Sequence, residues 1–167
     1  MLKLVIGMQN KGFTLIEILV VVLIIGIMTG FTLLSFGDFG ASRKITMAGE
    51  QLVNYVKLTR QQAILASATY GIQIDPLGYQ VWHFQAPHSW QPISHESIFK
   101  HQSFPKHTVV QLANKGLLMG GSPQIVINPT GDLTPFVLYL GTKSQPRLVT
   151  IVGEDNGTLT LTQGKPS

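Results

Sequence analysis

Glu17 is the residue in this 167-residue sequence whose type and place most directly suggest chemistry. It stands at the head of an apolar run, and from Ile18 to Phe36 no side chain is charged. A carboxylate inside a hydrocarbon layer costs at least about 2.5 kcal/mol unless it is paired or held near the interface. Glu17 can offset that desolvation by meeting a cation, because opposite charges in contact at low dielectric interact strongly. The chemistry expected of it is therefore ion pairing, not proton transfer.

Other reactive residue types form no catalytic pattern. The five histidines, His83, His88, His95, His101 and His107, are five to seven residues apart, with only Glu96 nearby. Metal sites favour compact spacings backed by carboxylates, so a polar surface loop is expected, with no metal or other cofactor. Neither a G-x-S-x-G elbow nor an H-E-x-x-H helix occurs. Asp75, Glu96, Asp132, Glu154 and Asp155 fall mostly at turns, where capping and solvation account for them. Gly116 and Gly120-Gly121-Ser122-Pro123 are followed by no Walker lysine and read as flexible-loop glycines. No enzymatic activity is expected. Lys143, Arg147 and Lys165 are isolated and the net charge is only +4, so no nucleic-acid partner is expected either. Trp82 and Phe84 share one strand face by period two, which implies a core role, whereas Trp90 in the polar loop is a candidate protein contact.

The element that must position Glu17 is a helix. Residues 13–36 as a helix would extend roughly 36 Å at about 1.5 Å per residue, enough to cross a hydrocarbon core of about 30 Å. Residues 1–12 carry Lys3 and Lys11 and no acid. A secretory signal has a shorter apolar stretch followed by a small-x-small site, and Ser35-Phe36-Gly37 matches that poorly. The sequence has no cysteine, which excludes a lipoprotein anchor, disulfides and thiolate metal sites. What remains is a leader cut ahead of the apolar segment. A plain signal anchor with its glutamate at the interface is the alternative.

The gapless run Lys11-Gly12-Phe13-Thr14-Leu15-Ile16-Glu17 resembles the class III signal of type IV pilins and pseudopilins. The resemblance implies that a prepilin peptidase cuts after Gly12 and N-methylates Phe13. It also implies that Glu17, the fifth residue of the mature chain, pairs with the Phe13 α-amine of a neighbouring subunit as an assembly register. Gly12 suits the role because an absent side chain lets a protease reach the bond in an extended conformation.

Beyond the span, residues 37–68 change to an amphipathic pattern. Ile45, Ala48, Leu52, Val56, Ala63 and Ile64 fall near helical spacing, with Arg43, Lys44, Glu50, Lys57, Arg60 and Gln61 between them. Gly37-Asp38-Phe39-Gly40 is the expected bend or local melt. Residues 69–167 read as β, with strands at 70–75, 79–84, 108–112, 124–128, 135–140, 148–152 and 158–161. A short strand near Ile98-Phe99 is a further candidate. Asn156-Gly157 predicts a type I′ hairpin, and Pro129-Thr130-Gly131-Asp132 a second turn. The fold class is thus α+β: a long N-terminal helix against an antiparallel sheet domain, as in the pilin-like fold.

Two β segments narrow the resemblance. Tyr70-Gly71-Ile72-Gln73-Ile74-Asp75 and the block from Ile125 to Phe136, continued by Leu138 and Leu140, are similar to the type II secretion minor pseudopilins of the H class. That family implies a non-catalytic subunit of a periplasmic pseudopilus, linking its shaft to a tip complex. The partners it implies are the major and other minor pseudopilins, the prepilin peptidase, the inner-membrane secretion platform and membrane lipid. The N-terminus would lie in the cytoplasm before processing and the C-terminal domain in the periplasm. A minor pilin of a type IV pilus, for priming or DNA uptake, is the other reading.

Overall fold

Helix α1 spans Leu15–Ala66, and the chain divides into two compact units, Met1–Phe39 and Gly40–Ser167. The structure, a computed structural model, describes residues 14–85, 87, 89–93, 97–113 and 122–164, without the side chains of 31–39 and 97.

In the first unit α1 is a bare apolar rod. Large side chains from Leu15 to Met28 are 44–84 % exposed within the chain. Thr29 Oγ1 donates to the Ile25 carbonyl at 2.7 Å, which satisfies its hydroxyl inside the apolar stretch. The backbone of residues 37–40 stays helical, so the expected melt is absent there.

In the second unit α1 is amphipathic. Ile45, Ala48, Leu52, Val56 and Ala63 are buried as their spacing predicts, joined by Val53, Tyr55 and Thr59. Ile64 departs from the expected core set and is 44 % exposed. Each fully buried aliphatic side chain contributes about 1.5–3 kcal/mol, so this stripe fixes the helix to the sheets. Gly49 sits where α1 runs close against Val149, since a Cβ there would lie 2.9 Å from Val149 Cγ1. The helix ends in a Schellman motif: Ala68 N–H donates to the Ala63 carbonyl at 3.1 Å and Ser67 N–H to that of Ile64 at 3.3 Å. Ser67 takes the left-handed position, with φ 50°.

Among the described residues nine strands follow: β1 Tyr70–Ile74, β2 Gly78–Gln85, β3 Ser89–Pro92, β4 Gln102–Ser103, β5 Val109–Leu112, β6 Ile125–Ile127, β7 Phe136–Gly141, β8 Val149–Gly153 and β9 Leu159–Gln163. They form two antiparallel sheets. The first has the order β3-β2-β1-β6, with β4 also pairing with β2, and the second β5-β7-β8-β9. In the first sheet Ile72 lies opposite both Val81 and Ile125. In the second, Leu138 faces Ile151, which faces Leu161. Ile72, Ile74, Val81, Ile125, Ile127, Leu138, Leu140, Val149 and Ile151 are all fully buried in one core with the α1 stripe.

The region expected to be a loop is more ordered than its polar composition suggests. It contributes β3 and β4, and Ser97–Phe99 forms a 3-10 turn where a strand was expected. Tyr55 explains the anchoring. Its hydroxyl donates to the Phe99 carbonyl at 3.1 Å and accepts from Val81 N–H at 3.3 Å. Its ring meets Tyr79 edge-on at 4.9 Å and Phe99 at 6.1 Å. Burial pushes both the Tyr55 and the Tyr79 phenols up to about 12.

Candidate functional site

Thr14 and Glu17 open α1 together. The Glu17 N–H donates to Thr14 Oγ1 at 3.3 Å and to the Thr14 carbonyl at 3.1 Å, and Ile18 N–H reaches the same carbonyl at 3.3 Å. Thr-x-x-Glu is the capping-box spacing, with Thr14 as N-cap and Glu17 at the third helical position. Helix-dipole electrostatics also favour a carboxylate in this first turn. Glu17 is exposed, and no cation meets its carboxylate among the described residues. Gly12 and Phe13 lie outside the described residues. No helix among the described residues is long and apolar enough to cross a membrane, and the expected span of 13–36 extends past the side chains described.

The opposite end of α1 carries an arrangement that sequence reading missed. Two loops share one hydrogen-bond plan. In the first, Gly131 N–H donates to the Asn128 carbonyl and Asn128 N–H to that of Asp132, both at 2.9 Å. In the second, Gly157 N–H donates to the Glu154 carbonyl and Glu154 N–H to that of Thr158, both at 3.0 Å. The glycines hold φ of 90° and 83°. This is a type I turn closed by a left-handed glycine, so the type I′ expectation at Asn156-Gly157 is corrected. Asn156 is not in the positive-φ region, and the loop is one residue longer than the two-residue turn requires.

Arg60 bridges the two loops. Its Nε donates to the Gly131 carbonyl at 2.7 Å and its NH2 group to the Asn156 carbonyl at 3.2 Å. A Cβ on Gly157 would collide with the Arg60 guanidinium, and one on Gly131 would lie 3.0 Å from Ile64 Cδ1. Leu133 N–H also donates to the Asp155 carbonyl at 3.0 Å, which ties the loops to each other. In sequence Arg60 is one of several polar residues on a helix. The signal that could have marked it was the paired Asn-Pro-Thr-Gly and Glu-Asp-Asn-Gly turns, each presenting a carbonyl.

The remaining candidates fall into structural roles. Asp75 Oδ1 accepts from Leu77 and Gly78 N–H at 2.7 and 2.8 Å, and Asp132 Oδ2 from Thr130 Oγ1 at 2.7 Å. Asp155 Oδ1 accepts from Asn156 N–H at 2.8 Å. His83 packs on Tyr70 at 5.0 Å, and His101 borders Gly78. His88, His95, Glu96, Gly116, Gly120, Gly121 and Lys165 lie outside the described residues. Arg147 lies 4.6 Å above the Tyr139 ring, a cation–π contact. Trp82 and Phe84 share a face as expected, but not the core face, which Tyr79 and Val81 occupy. They are half-buried on the other side. There Phe84 meets Trp90, a β3 residue, edge-on at 5.2 Å, and Trp90 with Pro123 covers Gly71.

A long helix headed by Thr14 and Glu17, with an exposed apolar face in its first part and an antiparallel sheet domain after it, defines a pilin-like fold. Comparison with solved structures agrees. The fold matches the minor pseudopilin EpsH from the type 2 secretion system of Vibrio cholerae with a TM-score of 0.60 at 20 % identity, over 72 % of this chain and 97 % of that one. It matches the solution structure of E. coli GspH at 0.62 and 18 % identity, over 74 % and 90 %. The type II secretion system protein H of Pseudomonas aeruginosa is 30 % identical over 146 residues, 78 % of this chain and 83 % of that protein. Its counterpart in Aeromonas hydrophila is 22 % identical over 93 % and 94 %. A prokaryotic N-terminal methylation motif matches residues 7–33, and the model of the type II transport protein GspH matches residues 48–165. The chain belongs to the GspH family of type II transport proteins, the minor pseudopilins of the type II secretion system.

Proposed function

We propose that this subunit is cleaved between Gly12 and Phe13, methylated at Phe13, and assembled through α1 into a periplasmic pseudopilus that drives export of folded proteins. The observation that carries the reading is the row of side chains from Leu15 to Met28, exposed within the chain and headed by Glu17. A continuous apolar surface of that extent needs lipid or other helices around it. A cation at the head, the α-amine of a neighbouring Phe13, would then offset the desolvation of Glu17. The anchor would reside in the inner membrane and residues 69–167 in the periplasm. The subunit would link the shaft to the tip complex without catalysing any reaction.

Deletion of the gene is expected to abolish secretion of extracellular proteins while twitching and transformation persist. The opposite phenotype, intact secretion with lost twitching or DNA uptake, would assign the chain to a type IV pilus.

A further inference from the structure

We propose that Asn156 is a site of spontaneous deamidation whose rate is set by Arg60, so that the bridge from α1 also guards the 154–158 loop against covalent ageing. Asn156 is the only asparagine in the sequence followed by glycine. In this reaction the main-chain nitrogen of the next residue attacks the asparagine Cγ, and the Cγ–Nδ2 bond breaks. The departing NH2 group takes the proton that the nitrogen gives up and leaves as ammonia. The resulting succinimide is opened by water to aspartate or isoaspartate. Glycine is the least hindered nucleophile, because no side chain shields its nitrogen. The first loop cannot react this way: Thr130 precedes its glycine, and Asn128 is followed by Pro129, which has no N–H to give up.

The folded loop withholds what the reaction needs. Gly157 N–H donates to the Glu154 carbonyl at 3.0 Å. Asn156 Oδ1 accepts from Thr158 N–H at 2.7 Å and Nδ2 donates to Glu154 Oε2 at 3.4 Å, which fixes the carboxamide. Asn156 stands third in the type I turn, where ψ is about 0°. Ring closure needs the Gly157 nitrogen to eclipse Cβ, so the 156–157 peptide plane must rotate by about a third of a turn. That rotation breaks the Gly157 N–H bond and pulls the Asn156 carbonyl away from the Arg60 NH2 group, its donor at 3.2 Å. Arg60 also acts as a cover. Asn156 is exposed but Gly157 is buried, and the guanidinium fills the space a Gly157 Cβ would take. Base therefore reaches the Gly157 N–H only after the guanidinium withdraws. The bridge and the labile pair are inseparable, because contact with Arg60 and a φ of 83° both demand glycine at 157. Isoaspartate would add one main-chain atom to the loop at the residue that Arg60 holds.

Deamidation is measured on the detergent-solubilised full chain in mildly alkaline buffer, by peptide mapping of aspartate and isoaspartate at position 156. Because reaction proceeds from the briefly opened loop, folded wild type should react at least about tenfold more slowly than the same chain in guanidinium chloride. Arg60→Ala, which takes a charged donor from two carbonyls, should raise the rate of the folded chain about tenfold or more. Tyr55→Phe weakens the fold away from the loop and should stay within about twofold of wild type. Should Arg60→Ala fail to fold by circular dichroism, Arg60→Lys takes its place, with a rate expected about threefold above wild type. Equal rates in folded and unfolded wild type would overturn the proposal. So would a folded Arg60 variant that reacts like wild type, or acceleration by Tyr55→Phe as large as that of the Arg60 variant.

Discussion

Arg60 Nε lies 2.7 Å from the Gly131 carbonyl oxygen, while the same guanidinium reaches the Asn156 carbonyl at 3.2 Å. One helical side chain therefore closes two loops, of which 128–132 leaves the first sheet and 154–158 joins β8 to β9. A planar fork with fixed donor directions suits two carbonyls on separate loops, whereas an ammonium offers a single point of charge.

Arg60→Ala is expected to destabilise the folded chain by about 2–3 kcal/mol, since two carbonyl acceptors lose a charged donor. Arg60→Lys should recover less than half of that. Denaturant unfolding of the detergent-solubilised chain measures both, and equal stability of Arg60→Lys and wild type would contradict the fork.

Gly157→Ala forces a left-handed backbone on a side chain and pushes a methyl into the Arg60 guanidinium. A loss of at least about 1–2 kcal/mol is expected. In an Arg60→Ala background the same substitution should cost less, and a double-mutant cycle reads that difference.

Ser67 stands at the left-handed end of α1 with an exposed side chain. Ser67→Gly should stabilise the chain by about 1 kcal/mol, because glycine takes that conformation without steric penalty. A higher midpoint of thermal unfolding is the expected reading.

Tyr55 and Tyr79 hold their phenols neutral, raised from 10.0 to about 12 by burial. The folded chain keeps protons that the unfolded chain releases above pH 10. Stability should therefore be insensitive to these groups below pH 10 and fall as pH rises from 10 towards 12. Tyr55→Phe removes the acceptor of Val81 N–H and should cost about 1–3 kcal/mol at neutral pH. Tyrosinate absorbance against pH, recorded with unfolding curves, checks the first expectation, and denaturant midpoints the second.

Glu17 meets Thr14 through its N–H at the head of α1, and the proposed assembly would give its carboxylate a second, separable role as an ion-pairing group. Glutamine satisfies a capping box as glutamate does, but carries no charge. Glu17→Gln and Glu17→Ala are both expected to be cleaved at the wild-type rate and to fail in assembly. Assembly of Glu17→Gln at wild-type level, scored by shearing and immunoblotting, would make capping rather than charge the requirement.

The sequence conveyed most where one periodicity ran long. The α1 core stripe and strands β1, β2, β7 and β8 follow from apolar spacing, because each buries one face against a single layer. It conveyed less where contacts at long sequence separation decide the outcome. β3 and β4 are held by β2 and by Tyr55, whose partner Phe99 is 44 residues away, so a polar composition reads as a loop. Parity placed Trp82 and Phe84 together but could not choose the face, since alternation alone does not say which side α1 covers. At the head of α1 the sequence singled out Glu17 as the acid just before an uncharged run, and the structure adds its N–H contact with Thr14 Oγ1. Arg60 was not, because its acceptors are backbone carbonyls 71 and 96 residues downstream.

The shared attachment of two loops to one turn of α1 has a mechanical meaning. Leu133 N–H to the Asp155 carbonyl joins the loops to each other, and the Arg60 fork joins each of them to the helix. A displacement of this part of α1 would therefore reach the loop after β6 and the loop between β8 and β9 through the same side chain. In a chain without a single disulfide, the coupling between the two loops and the helix rests on these hydrogen bonds and on the apolar core.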